Sequence, residues 1–166
     1  MHTKVQERSR AYANEEYHQI NKPIAVLGTG NMGTSLMLGI VKAKLTPPQK
    51  IMACDINAEK LQTLSGDWSV RTTLSLAEAV AASEIILLCV KPLTVPKVLD
   101  EIKDSIRGGH LLISIAAGVR ISFLQEKIGK KIGIVRTMPN IASTVDEGAA
   151  AIAFGEFVSE AQKKIA

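Results

Sequence analysis

Residues 24–36 read IAVLGTGNMGTSL, and this stretch constrains the fold more than any other. A short apolar run, Ile24 to Leu27, stops at a glycine, and a helix-like pattern begins a few residues later. Gly28, Gly30 and Gly33 stand between them in the spacing GxGxxG. A strand that turns sharply into a helix is the start of a βαβ unit in a parallel sheet. Each glycine then has a task. Gly28 makes the tight turn, Gly30 lets the main chain approach a pyrophosphate, and Gly33 lets the helix pack close to the sheet. Thr29, Asn31 and Met32 complete the loop, and the free N–H groups opening the helix favour negative charge there. The competing reading is a structural turn that holds no ligand.

The rest of the chain keeps the alternation. Strands are expected at Ile24–Leu27, Ile51–Cys54, Ser69–Thr72, Ile85–Val90, Leu111–Ile115, Ile132–Val135 and Ala149–Phe154. Helices are expected from Met32 to about Lys44, Ala58 to Leu64 with a stop near Gly66, Leu76 to Ala82, Val95 to Ile106, and to Ile128 behind a Ser122 cap. Ser75 with Glu78 reads as a capping box, and Ser159 opens a last helix. IILLCV is a continuous apolar run, as in a strand buried on both faces. The fold class that follows is α/β, a Rossmann-like doubly wound, mostly parallel sheet with helices on both faces. Residues 1–22 are polar and mixed in charge and read as an N-terminal extension, leaving 23–166 as a dinucleotide-binding domain.

Composition excludes several function classes. The net charge of +4 is spread along the chain, with few aromatics beside it, so no nucleic-acid surface is expected. No apolar stretch has the roughly 18 residues of a membrane span, and no secretory signal opens the chain, so a cytoplasmic location is expected. Cys54 and Cys89 end apolar runs, without CxxC spacing, and read as reduced core thiols. His2, His18 and His110 are isolated, in tails or loops by position, and no metal site is expected.

Asp55 ends the second strand, about 20 residues past the glycine loop, where a carboxylate accepts hydrogen bonds from an adenosine ribose and repels a 2′-phosphate. It favours NAD, while a role as a plain cap of the DINAEK turn and the nearby Lys60 leave NADP open.

Three further stretches, LLCVKPLTVPKVL, ISIAAGVRISFL and IVRTMPNIASTVDEGAAAIA, each follow a strand. With LGTGNMG they resemble the pyrroline-5-carboxylate reductases, from about Ile24 to Ala166. Arg136, Met138, Pro139, Asn140 and the pair Glu147-Gly148 carry the most specific part, while VKP and AAGV are shared with sister dehydrogenases. The resemblance implies reduction of 1-pyrroline-5-carboxylate to L-proline by hydride transfer from a reduced nicotinamide. It places Val90, Lys91, Pro92, Ala116, Ala117 and Gly118 against the ribose and nicotinamide. Met138, Pro139 and Asn140 become the floor of the nicotinamide and substrate pocket, and no catalytic side chain is assigned. It also implies a second, helical domain, absent from these 166 residues, which builds a homo-oligomer and completes the substrate site. The chain alone is then expected to bind dinucleotide with little or no turnover. Leu76 stands where such reductases often have a cofactor-contacting Asn. Two alternatives stay open: a related dehydrogenase with another substrate, and a nucleotide-binding module without catalysis.

Overall fold

The computed structural model describes residues 19–140 and 149–166. Seven strands form one sheet: β1 (Ile24–Leu27), β2 (Ile51–Cys54), β3 (Arg71–Thr73), β4 (Ile85–Leu88), β5 (Leu111–Ser114), β6 (Gly133–Asn140) and β7 (Ala149–Phe154). Among the described residues six α-helices accompany them: α1 (Asn31–Lys42), α2 (Ala58–Trp68), α3 (Leu76–Ala81), α4 (Val95–Ile102), α5 (Ile121–Ile128) and α6 (Glu160–Lys163). The sheet order is β3-β2-β1-β4-β5-β6-β7, parallel throughout except for the antiparallel β6–β7 pair.

The strand residues alternate between two cores. Ala25, Leu27, Ile86 and Leu88 point toward α3, α4 and α5, while Ile24, Val26, Ile85 and Leu87 point toward α1 and α2. All four residues of β1, β2, β4 and β5 are buried, which is why these strands read as unbroken apolar runs. The chain lays β1, β2 and β3 outward in one direction, then returns to set β4 on the other side of β1. This reversal opens a crevice beyond the carboxyl ends of β1 and β4, where open α/β sheets bind ligands.

Several local expectations are corrected. The inward face of α1 is built on Gly33 and Met37, both buried, with Leu38, Ile40 and Val41 partly packed beside them, while Met32 and Leu36 stay outside the core. The close approach at Gly33 turns this face to the sheet. Helix α2 runs through Gly66 to Trp68 and stops at Ser69, whose φ is 55°. Packing of Leu61, Leu64 and Trp68 into one core offsets the cost of an exposed helical glycine, about 1 kcal/mol. Ser122 does not cap α5. The cap is Arg120, because the helix starts early enough to bring Ile121, Leu124 and Ile128 onto the core.

Ser75 does cap α3, its Oγ accepting the Glu78 N–H at 3.2 Å. The reciprocal half of the box is relayed instead: the Ser75 N–H donates to Thr73 Oγ1 at 3.1 Å, and the Thr73 hydroxyl donates to the Glu78 carboxylate. The full reciprocal box forms at Ser159 and Gln162. His110 lies in the loop before β5, as expected, but is buried there, with Nδ1 accepting the Arg107 N–H at 3.1 Å. The expected strand at Ile132–Val135 is longer. Beyond Arg136, β6 has left β5 behind and pairs only with β7, from Thr137 opposite Ile152 to Asn140 opposite Ala149. A two-stranded ribbon therefore overhangs the carboxyl edge of the sheet.

Candidate functional site

The loop at the β1–β4 reversal is held from three sides. The Gly28 N–H donates to Cys54 O at 2.9 Å on β2, and the Cys89 N–H donates to Leu27 O at 2.8 Å from β4. Gly28 has φ +93°, and a β-carbon there would stand 3.0 Å from the Cys89 carbonyl and from Val90 Cγ1. A β-carbon on Gly33 would lie 2.0 Å from Gly28 O. The chain's own atoms therefore demand glycine at both positions.

Gly30 differs. Its φ of −62° and ψ of −175° suit any residue, and a β-carbon there would meet nothing within 4 Å. It is the N-cap of α1 and supplies no side-chain cap, and no acidic residue stands in the first turn. The opening N–H groups of α1 thus face the space beside Gly30 without a side-chain acceptor. Open space, uncapped N–H groups and the positive end of a twelve-residue helix form a cradle for an anion. The residues fit the pyrophosphate of a dinucleotide. Asn31 is exposed and Met32 half-buried at the rim.

Thr29 is wholly buried and ties the loop to β2. Its N–H and its hydroxyl both donate to Asp55 Oδ2, at 2.7 and 2.8 Å, and its carbonyl accepts the Thr34 hydroxyl at 2.9 Å. Asp55 Oδ1 accepts the Asn57 N–H at 3.1 Å. Burial pushes the Asp55 pKa up, but donors from Thr29, then the Asn57 and Ile56 amides, outweigh it and hold the carboxyl below its ordinary value. The Asn57 N–H bond to Oδ1 is also the one by which Asp55 caps the DINAEK turn, while α2 itself is capped by Asn57, whose side chain accepts the Lys60 N–H at 3.0 Å.

The remaining predicted residues share this carboxyl edge. Val90 is half-buried against one core, Lys91 is exposed, and Pro92 opens a short 3-10 helix, Pro92–Thr94, anchored by the Thr94 N–H on Lys91 O at 2.9 Å. Past β5, Ala116 is buried and its N–H donates to Ser114 Oγ at 3.3 Å, while Ala117 and Gly118 are exposed and Gly118 takes φ +74°. Met138 lies on the overhanging ribbon, 48% exposed, rather than in a loop. With Arg136, Ala151, Ile152 and Ala153 it lines a cleft of about 240 Å³. Pro139 and Asn140 belong to the ribbon's backbone, and their side chains, like Glu147 and Gly148, lie outside the described residues. Leu76 packs against the core from α3.

Three exposed apolar side chains escaped the sequence reading: Ile56 after β2, Leu74 after β3 and Leu93 after β4. Each stands one to five places beyond the end of a strand, and that pattern was the available signal. A wider groove of about 530 Å³ between α2 and the β3 edge holds none of the predicted site residues. Cys54 and Cys89 flank β1, and burial pushes their thiols up to about 11 and about 12, which leaves both unreactive. Burial likewise lowers the His110 pKa, but His110 precedes β5 at the sheet's other end.

Comparison with known proteins bears on the same regions. The chain is 40% identical over 136 residues to pyrroline-5-carboxylate reductase of Methanosarcina acetivorans, a match covering 82% of this chain and 50% of that protein. The solved pyrroline-5-carboxylate reductase of Coxiella burnetii superposes with a TM-score of 0.82 at 29% identity, over 87% of this chain and 54% of that one. The Plasmodium falciparum pyrroline carboxylate reductase, solved with NADP bound, gives 0.77 at 28% identity, over 89% and 53%. The chain spans about half the length of the curated relatives it matches. A family model described as "NADP oxidoreductase coenzyme F420-dependent" matches residues 23–118, from the start of β1 to the turn after β5. That span takes in the glycine cradle, Asp55, the Val90–Pro92 segment and the Ala116–Gly118 turn, and the chain belongs to this family of NADP oxidoreductases.

Proposed function

We infer that this chain is the dinucleotide-binding part of an NAD(P)H-dependent reductase that converts 1-pyrroline-5-carboxylate to L-proline. The observation that carries the reading is Gly30: the fold itself does not require a glycine there, and a ligand on the α1 N-terminus does. The likeness to pyrroline-5-carboxylate reductases beyond residue 118, where the Arg136–Asn140 ribbon lies, supports the substrate.

In this reading Gly30, Asn31 and Met32 face the pyrophosphate, Gly28, Thr29 and Gly33 shape the loop that holds it, and Ile56, Leu74 and Leu93 offer apolar surface to the adenine. Asp55 faces the adenosine ribose, and its charge favours NAD over NADP. The backbones of Val90–Pro92 and Ala116–Gly118, and the ribbon at Met138–Asn140, position the nicotinamide and the imine. When bound, the reduced nicotinamide supplies a hydride to the C=N carbon. The chain contributes orientation and exclusion of water. The imine nitrogen arrives protonated, so no side chain is assigned the proton. In the whole protein a helical domain holds the substrate carboxylate and builds a homo-oligomer, and the reaction is cytoplasmic.

The family description names coenzyme F420, and this favours a second reading, a reductase of the same fold that uses a deazaflavin partner. One pair of assays separates them. NADH fluorescence is titrated with the 166-residue chain, then its oxidation is followed with pyrroline-5-carboxylate supplied. Saturable binding with little turnover is expected. Absence of binding to NADH and NADPH sinks the reading, and binding of the deazaflavin alone selects the second.

A further inference from the structure

We propose that Thr29 is a positioning residue for dinucleotide preference, acting through Asp55; this rests on the reading that the cradle holds a dinucleotide. A carboxylate oxygen accepts about two hydrogen bonds. Oδ2 of Asp55 has both from Thr29, at 2.7 and 2.8 Å. Oδ1 has one hydrogen bond, from the Asn57 N–H at 3.1 Å, a looser contact. The two oxygens are therefore unequal: one is saturated by the glycine loop, and the other keeps accepting capacity. Thr29 has no exposed surface and Asp55 is half-buried, so the saturated oxygen is the one bound to a wholly buried partner. The geometry assigns the ribose hydroxyl to Oδ1.

The Thr29 hydroxyl is the only side-chain donor to Asp55 among the described residues. A backbone N–H alone leaves the carboxylate free to rotate about its Cα–Cβ and Cβ–Cγ bonds and to present either oxygen. The hydroxyl fixes that rotation. It also joins the loop that takes the phosphates to the strand end that takes the ribose, so the two halves of the adenosine diphosphate site move as one. The Thr34 hydroxyl on Thr29 O locks the same residue from α1.

The test replaces Thr29 with valine, which keeps the β-branched shape and removes the hydroxyl. NADH and NADPH dissociation constants are measured by fluorescence titration, with a thermal melt alongside. NADPH, whose 2′-phosphate cannot use the Asp55 acceptor, is expected to stay within about twofold, while NADH weakens about tenfold, the loss of roughly one charge-assisted hydrogen bond. Thr29→Ser should restore the wild-type ratio. Asp55→Asn should shift the ratio in the same direction, and the double variant should add nothing to it. An equal loss for both cofactors would mean that Thr29 only shapes the loop, and would overturn the proposal. So would an unchanged ratio, or additive effects in the double variant. Should valine prevent folding, Thr29→Ala with the serine rescue gives the same comparison. A wild-type chain that binds neither dinucleotide would remove the underlying reading instead, and the proposal with it.

Discussion

Gly30 and Gly33 are three residues apart in one motif, yet the structure predicts opposite consequences for replacing them with alanine. At Gly33 the new methyl would sit 2.0 Å from Gly28 O and 3.0 Å from Cys89 Cβ. Ordinary contact needs more than 3 Å, so α1 must retreat by about 1 Å from a strand whose four residues are all buried. Overpacking of this kind costs roughly 1–3 kcal/mol, and here the obstacle is backbone, which places it at the upper end. For a chain of this size that is a fall in Tm of roughly 6–12 °C. At Gly30 the methyl enters open space on a backbone conformation alanine adopts freely. Alanine is a poorer N-cap than glycine by about 0.5–1 kcal/mol, and its stiffer unfolded chain returns about 0.4–1 kcal/mol. The two nearly cancel, so Tm should move by less than about 4 °C.

Binding should show the reverse. The Gly30 methyl occupies the space assigned to the pyrophosphate and forfeits its contacts with the α1 N–H groups. Loss of two charge-assisted hydrogen bonds is about 3 kcal/mol or more, over a hundredfold in affinity for NADH. The assay pairs a thermal melt with a fluorescence titration for each variant. If Gly30→Ala melts as wild type and still binds NADH with wild-type affinity, the empty side of Gly30 is not a ligand site and the argument from it is wrong.

Other outcomes follow from the same geometry. The folded-state pKa of Asp55 is depressed, so its contribution to stability is full above the ordinary value near 3.9 and is lost as pH falls through the folded value. The urea midpoint of the wild type should therefore drop as the pH is lowered below about 5, and Asp55→Asn should flatten that drop. Cys54 and Cys89, with pKa values raised to about 11 and about 12 by burial, should react with Ellman's reagent at pH 8 at least ~100-fold more slowly in the folded chain than in urea. The outer strand β7 carries no charge and no proline, with Ile152 and Phe154 exposed by 45% and 43%. Such an edge invites pairing, so sedimentation should detect concentration-dependent association that Ile152→Lys reduces, with Tm unchanged within about 2 °C.

How far the fold was legible depends on what held each element. Strands β1, β2, β4 and β5 are buried on both faces, so their own residues announce them. β6 hid its second half because Arg136 and Pro139 argue against a central strand. Past Arg136 it is no longer central, since its only neighbour among the described residues is β7 across an antiparallel pair, and such pairing depends on residues 9 to 15 places away. The ends of α2 and α5 were misread for a related reason. Gly66 and Ser122 carry strong local signals, but Trp68 and Ile121 lie on the core side and packing set the boundaries. Local chemistry prevailed where no packing opposed it, as at Ser75 and Ser159.

The site was legible as a motif but not as a division of labour. GxGxxG assigns three tasks to three glycines, and the spacing alone cannot say which tasks belong to the fold and which to a ligand. The structure separates them: Gly28 and Gly33 are required by atoms of Cys89 and Val90, just past β4, and of the loop itself, so they would be glycines in a protein that bound nothing. Gly30 is required by no atom among the described residues. Its helix begins without a side-chain cap, whereas α2, α3 and α6 are capped by Asn57, Ser75 and Ser159; α4 and α5 are also uncapped, but Thr94 and Arg120 open them rather than a glycine loop. Ile56, Leu74 and Leu93 expose apolar surface past the ends of β2, β3 and β4 and contribute nothing to either core. Features that cost stability, or leave it unimproved, gather at the one edge where the strand order reverses. A folded chain has no use for that coincidence, and the proposed dinucleotide would account for it.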